Sequence, residues 1–353
     1  MGHPGSRGLD PGFFDALQMK NNTFAQLIIL ILILTSLILI SISLGYINIP
    51  LADIFMILFQ QPVTGSEHNL HPMVIWEVRL PRILTAAVVG AGLAASGVVF
   101  QGILLNPLAE PYTLGVSAGA AFGASLVLLF DLNVLGFWSV PCMAFLGAGL
   151  TLVLVIFLSS SAGGVSSTNL ILSGVIVTAI LSAGMSFLKY LAQEKVAVII
   201  FWLLGSFASS TWSEFWLVFV FLILTLAVFL VHARDMNVLC LGSRVATSMG
   251  VDTTRARMIL LITGSLLAAV CVSVSGIIGF VGLVVPHMMR FLTGPDHRKL
   301  LPASLLCGAM LLLGADTITR AVLPEEVPIG VLTALLGGPF FFFIFRKKQL
   351  RMD

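Results

Sequence analysis

Val78–Gly123, VRLPRILTAAVVGAGLAASGVVFQGILLNPLAEPYTLGVSAGAAFG, is the stretch from which the fold is read. Arg79-Leu80-Pro81-Arg82 sets two cations beside a proline placed to start a helix, where its missing N–H is no loss. From Ile83 to Leu105 there is no charge. Within that span Gly90, Gly92, Ala94, Ala95, Ser96 and Gly97 leave one side thin enough for another helix to approach closely. Asn106-Pro107-Leu108-Ala109-Glu110-Pro111 then breaks the helix, since neither proline can donate to a helical ladder. Gly115, Gly119 and Gly123 follow as a small-residue ridge on the next apolar span. The pattern specifies two membrane helices joined by a polar hinge.

The rest of the chain has the same character. Of 353 residues, 58% are hydrophobic and 10% charged, with a mean hydropathy of +1.07. A soluble domain carries about 25% charged residues, so the chain reads as an all-α integral membrane protein. Spans of roughly 20 apolar residues fall at Phe24–Leu44, Arg82–Leu105, Thr113–Leu132, Val134–Leu158, Leu170–Tyr190, Glu214–Val231, Met258–Ser275, Ile277–Phe291, Leu301–Val322 and Val327–Phe345. That makes one domain, residues 24–346, of about ten transmembrane helices. Ile49–Gln61 is short and amphipathic and is expected to lie along the outer face. Thr64–Pro72 is a polar loop, and Val196–Leu204 reads as a short, partly inserted helix. Residues 1–23 are expected to be a disordered cytoplasmic segment, with Met19 an alternative start, and residues 347–353 a cytoplasmic tail.

Lys and Arg fix the expected orientation. With the N-terminus in the cytoplasm, Arg234, Arg244, Arg255, Arg257, Arg290, Arg298, Lys299, Arg346, Lys347, Lys348 and Arg351 lie inside. Both termini are then cytoplasmic, and Arg79, Arg82, Lys189, Lys195 and Arg320 remain near the outer face. The net charge of +2 and the lack of a basic aromatic patch give no reason to expect nucleic acid as a partner. Cys142, Cys240, Cys271 and Cys307 stand singly in or beside apolar segments and read as small packing residues. No metal cluster, P-loop, HExxH or GxSxG pattern is present, so no catalytic residue and no cofactor is assigned. His287 reads as a packed or capping histidine.

RLPR, QGILLNPLAEP (Gln101–Pro111), LGVSAGA, GFVGLVVPHMMR (Gly279–Arg290), DHRKLLP (Asp296–Pro302) and EVPIG (Glu326–Gly330) occur in order. This set resembles the FecCD-type permeases, the membrane subunits of ABC importers for iron-siderophores, haem and cobalamin, over roughly Trp76 to Phe345. The resemblance implies the type II ABC importer permease fold in the cell (inner) membrane, working as a homodimer. Its implied partners are two copies of an ATPase subunit and a periplasmic or lipid-anchored solute-binding protein. The chain itself is then not an enzyme.

The resemblance also implies three sites. Arg79, Arg82 and Arg320 would face acids of the solute-binding protein, with Asp316, four residues before Arg320, positioning it; the residues alone equally allow interfacial snorkelling. The stretch 232–257 holds Met236–Leu241 and Arg244–Met249, ended by Gly242 and Gly250, and is similar to coupling helices that dock on the ATPase through Arg244, Ala246, Thr247, Met249 and Gly250. Ser167 and Thr168, opening the fifth span, would form a cytoplasmic gate; otherwise the run is a polar turn with an N-cap. The pathway would be lined mainly by the second, fifth and related spans. The competing class is an ion-coupled secondary transporter of a bulky solute. Such a carrier needs ionisable groups at membrane depth, whereas Asp131, Asp316 and Glu110 are expected near span ends.

Overall fold

The computed structural model describes residues 23–45, 49–59, 71–161, 164–321 and 326–349. The segment expected to be disordered, all but Thr23, lies outside them, as do residues 64–70 of the loop and 350–353 of the tail. The order is α1 (Thr23–Ser43), α2 (Leu51–Phe59), α3 (Leu80–Leu104), α4 (Val116–Phe130), α5 (Ser139–Ser159), α6 (Ser167–Ala192) and α7 (Val196–Leu204). Then come α8 (Trp212–Val231), α9 (Ala233–Leu239), α10 (Ser243–Ser248), α11 (Thr253–Ser275), α12 (Val281–Thr293), α13 (His297–Ala321) and α14 (Ile329–Gln349). A two-residue antiparallel pairing, Ser160–Ser161 with Gly164–Val165, joins α5 to α6. Among the described residues, seven helical stretches are long and apolar enough to cross a membrane. Val116–Phe130, Val281–Thr293 and Ile329–Phe342 are shorter apolar helices.

Helix α3 is the centre of the bundle. Apart from half-buried Leu84 and Val88, every side chain from Ile83 to Leu104 is buried, against α8, α11, α12 and α13. The glycines explain how so many helices fit around it. A Cβ on Gly90 would stand 2.2 Å from the Gly308 carbonyl oxygen of α13, and one on Gly97 1.9 Å from the Gly282 oxygen of α12. At both crossings backbone meets backbone, the close approach that a small-residue stripe permits. The ridge on α4 works the same way, since Gly119 and Gly123 lie against Gly147 and Met143 of α5. A helix this enclosed does not line a pathway along its length, contrary to the expectation for the second span. Helix α6 is the open one: Leu172, Val175, Ile176, Ile180, Phe187 and Tyr190 are exposed.

Two helices start later than the hydropathy suggests. Pro111–Leu114 forms a 3-10 turn, and Gly115 with φ +79° sets the entry to α4. Residues 276–280 are irregular between Gly276 (φ +71°) and Phe280 (φ +69°), so α12 begins at Val281 rather than Ile277. In contrast, α11 starts at Thr253 rather than Met258 because the Asp252 side chain accepts from the Arg255 N–H at 3.0 Å and caps the helix. Helix α2 packs through Ile54 on Ile42, Ile75, Leu80, Ile83 and Leu313, leaving Phe55 and Met56 exposed. It thus lies over one end of α1, α3 and α13, as its amphipathic pattern suggests. Cys271 is buried, whereas Cys240 is exposed after α9 and is not the packing residue expected.

Candidate functional site

At the Arg82 end of α3 the three arginines are not free rim cations. Arg79, Arg82 and Arg320 are 4%, 7% and 9% exposed. The π-turn Val74–Arg79, joined without a break to α3, points Arg79 at α1, where its guanidinium donates to the Ile42 and Ser43 carbonyls. Arg320 donates to Leu44 O at 2.9 Å and Ser41 O at 2.7 Å. Arg82 stands between two carboxylates. Its Nε and Nη2 are both 2.9 Å from Asp316 Oδ1, and its Nη1 is 3.1 Å from Glu326 Oε1. Asp316, fully buried, also faces Arg320 at 4.0 Å.

The expected pairing of Asp316 with Arg320 is therefore the looser of its two contacts, and Arg82 is its main partner. Arg82 is held by the two carboxylates, while Arg79 and Arg320 are met mainly by backbone carbonyls of α1 and its end, and Arg320 Nε is buried without a hydrogen-bond partner among the described residues. The exposed member of the cluster is Glu326, 40% accessible. The sequence did not place Arg82 and Glu326 together, because 244 residues separate them. At the same end the Lys195 ammonium pairs with Asp131 and donates to Leu129 O, holding the α6–α7 corner to the end of α4.

The opposite end carries α9 and α10, close to the expected short helices. Ala246 is completely buried against Leu239 and Ala256, so it anchors α10 on α11 rather than offering a contact. Arg244, Thr247, Met249 and Gly250 are exposed. Leu241 in the turn before α10, Val245 within α10 and Met249 at its C-cap are 64%, 43% and 60% exposed, an apolar ridge at this end. Leu241 and Val245 were missed, though both are large apolar residues beside the expected contact residues in an otherwise polar stretch.

Helix α9 is tied inward by Asn237. Its Nδ2 donates to Asp296 Oδ1 at 2.7 Å, and its Oδ1 accepts from the His297 backbone N–H at 2.9 Å and from His297 Nδ1 at 2.7 Å. His297 in turn lies over Gly102 of α3, and Arg290 of α12 bonds Gln101 Oε1. These groups, with Cys240, Leu241, His287 and Asn106, line a cavity of about 680 Å³ open at this end. His287 also packs edge-on against Phe291. Burial raises the Cys240 thiol above its usual range, against the opposing pull of nearby Arg290.

The expected gate residues sit where α6 begins. Ser166 caps that helix, its hydroxyl accepting from the Asn169 N–H at 3.1 Å. Ser167 Oγ lies 3.5 Å from the Ile103 carbonyl near the end of α3, and Thr168 is exposed. Among the described residues no group of three His, Cys, Asp or Glu side chains is disposed to hold a metal ion.

The model of the FecCD transport family matches residues 30–347. The uncharacterized ABC transporter permease protein YvrB of Bacillus subtilis is 40% identical over 95% of this chain and 97% of its own. The molybdate import system permease protein MolB of Haemophilus influenzae is 38% identical over 92% and 96%. A solved metal-chelate type ABC transporter in an inward-facing conformation superposes with a TM-score of 0.80 at 36% identity, covering 91% of this chain and 98% of that one. Such proteins are membrane permease subunits whose ATPase is a separate subunit, and the chain belongs to the FecCD transport family.

Proposed function

We propose that this chain passes a bulky metal-centred solute, an iron-siderophore, haem or cobalamin, from a solute-binding protein to the cytoplasm. Two copies enclose a pathway, and a separate ATPase supplies the energy. The seven long and three shorter apolar helices make ten crossings, with both termini and the α9–α10 end in the cytoplasm of a cell bounded by this membrane. The observation that carries the reading is the exposed ridge Leu241–Val245–Met249. It spans the turn between two short helices and the second of them, and Asn237 fastens the first to the start of α13, a form suited to seating in a cleft and moving a transmembrane helix. Arg244 and Thr247 flank the ridge.

At the far end the docking role carries over in changed form. Arg79, Arg82 and Arg320 shape the rim from beneath, and a partner's acid that reaches Arg82 must displace Glu326. Ser167 and Thr168, beside Ile103, narrow the cytoplasmic exit. The metal-chelate type relative favours a chelate as cargo.

The test is reconstitution of this chain with the ATPase and the binding protein encoded beside it. ATP-dependent uptake of the ligand held by that binding protein is expected. Its absence with all three components present, or labels at residues 235–257 appearing on the same membrane side as Glu326, would sink the proposal.

A further inference from the structure

A second cavity, of about 400 Å³, lies among the ends of α4, α5, α7, α8 and α11 and the loop before α8. Two contacts put it at the Arg82 end of the bundle. The Trp212 indole N–H donates to Trp76 O at 2.9 Å, just before Arg79, and the Ile329 N–H, three residues past Glu326, donates to Gly205 O at 3.2 Å. Ser206 and Ser209, both exposed, mark its mouth.

Three features of the wall point to one kind of ligand. Among the described residues that line it, Glu214 is the one ionisable side chain, and it is 4% exposed. Its Oε2 accepts from the Thr211 N–H at 2.9 Å and lies 3.4 Å from Thr211 Oγ1, whereas no donor among the described residues reaches Oε1. These two donors and the start of α8 favour the carboxylate form, against its withdrawal from water. Lys195, which donates to Leu129 O beside the lining residue Leu128, is already held by Asp131. Next, the buried hydroxyls of Ser273 and Ser275 donate to Val270 O at 2.9 Å and Cys271 O at 2.8 Å. Their protons are committed within the chain, so what they have left for a ligand is lone pairs. Finally, Phe137, Phe201 and Trp202 add aromatic surface, which suits a cation or the apolar stem that carries it.

A pocket that offers acceptors, one carboxylate and aromatic rings is complementary to a donor-rich positive group. We propose that this cavity binds an organic cation, an ammonium or guanidinium on an apolar stem, with Glu214 Oε1 meeting the charge and the serine oxygens accepting its remaining N–H groups. A free amine carries this chemistry, and so does the headgroup of an ethanolamine lipid. The site stands on the fold alone and does not rest on the cargo or the partners of the proposed function.

The experiment follows para-trifluoromethylbenzylammonium by fluorine NMR on the full chain in an uncharged maltoside detergent, beside the neutral para-trifluoromethylbenzyl alcohol. Saturable binding of the ammonium is expected, at least about five-fold tighter than that of the alcohol. Glu214→Gln keeps the capping box, since glutamine serves at that position as glutamate does. It should melt like the parent, bind the ammonium about five- to ten-fold more weakly and leave the alcohol unchanged. Displacement of the probe by added phosphatidylethanolamine but not by phosphatidylglycerol would assign the site to the lipid headgroup; displacement by neither would assign it to free amines. No saturable binding by the parent, equal affinity for ammonium and alcohol, or an unchanged ammonium affinity in Glu214→Gln overturns the proposal. Should the variant not fold, the comparison of ammonium with alcohol on the parent still decides.

Discussion

Removing the Asp316 carboxylate is the sharpest perturbation of the Arg82 cluster. Asp316→Ala leaves Arg82, itself 7% exposed, with Glu326 alone, and leaves Arg320 with backbone carbonyls and Ser41. Breaking a buried ion pair by deleting one partner costs about 3–5 kcal/mol, because the surviving charge stays in a poorly solvating site. Glu326 still compensates part of Arg82, so the lower end, about 3 kcal/mol, applies. At about 2 °C per kcal/mol for a larger domain, the melting temperature in detergent should drop by about 6 °C. Raising salt should change this little, since buried pairs are poorly screened. The double variant Arg82→Met/Asp316→Leu removes both charges and leaves Glu326 partly solvated, so it should cost less than Asp316→Ala alone. An Asp316→Ala protein melting within about 1 °C of the parent, or a double variant worse than either single, would refute the reasoning.

Gly97→Ala should fail to accumulate as folded protein, because its Cβ would meet the Gly282 carbonyl at 1.9 Å, whereas Gly149→Ala, with nothing within 4 Å, should melt like the parent. Fluorescence-detected size exclusion and thermal scans separate the two. Met249→Asp should weaken association with the ATPase about ten-fold or more while leaving the melting temperature unchanged, since Met249 is 60% exposed; co-purification at graded concentrations reads this, and unchanged binding would remove the ridge from the interface. Burial raises the Cys240 thiol, so it is neutral at pH 7 and its alkylation rate should climb about ten-fold per pH unit above that. A rate already flat between pH 7 and 8 would show a thiolate instead.

Composition and spacing determined that the chain is a helical membrane protein, where its long apolar helices lie, and that its small residues mark helix crossings. These are local properties: a run of apolar residues needs no partner to be recognised, and the Gly90 and Gly97 positions declare a thin face wherever the neighbour comes from. The order of RLPR, NPLAEP and the later motifs likewise pointed to the family before any contact was known, and the Gly-flanked pair of short helices near residues 233–248 was visible from its terminators. The tertiary structure alone decided where charge resides. Arg79, Arg82 and Arg320 looked like rim cations because snorkelling and docking leave the same sequence trace, and only the approach of α1, α13 and Glu326 shows them held within the protein. Ala246 looked like a contact and became an anchor when α10 folded onto α11. Burial and pairing are relations between segments far apart in the chain, so a side chain's electrostatic fate is fixed by packing that one-dimensional spacing does not encode.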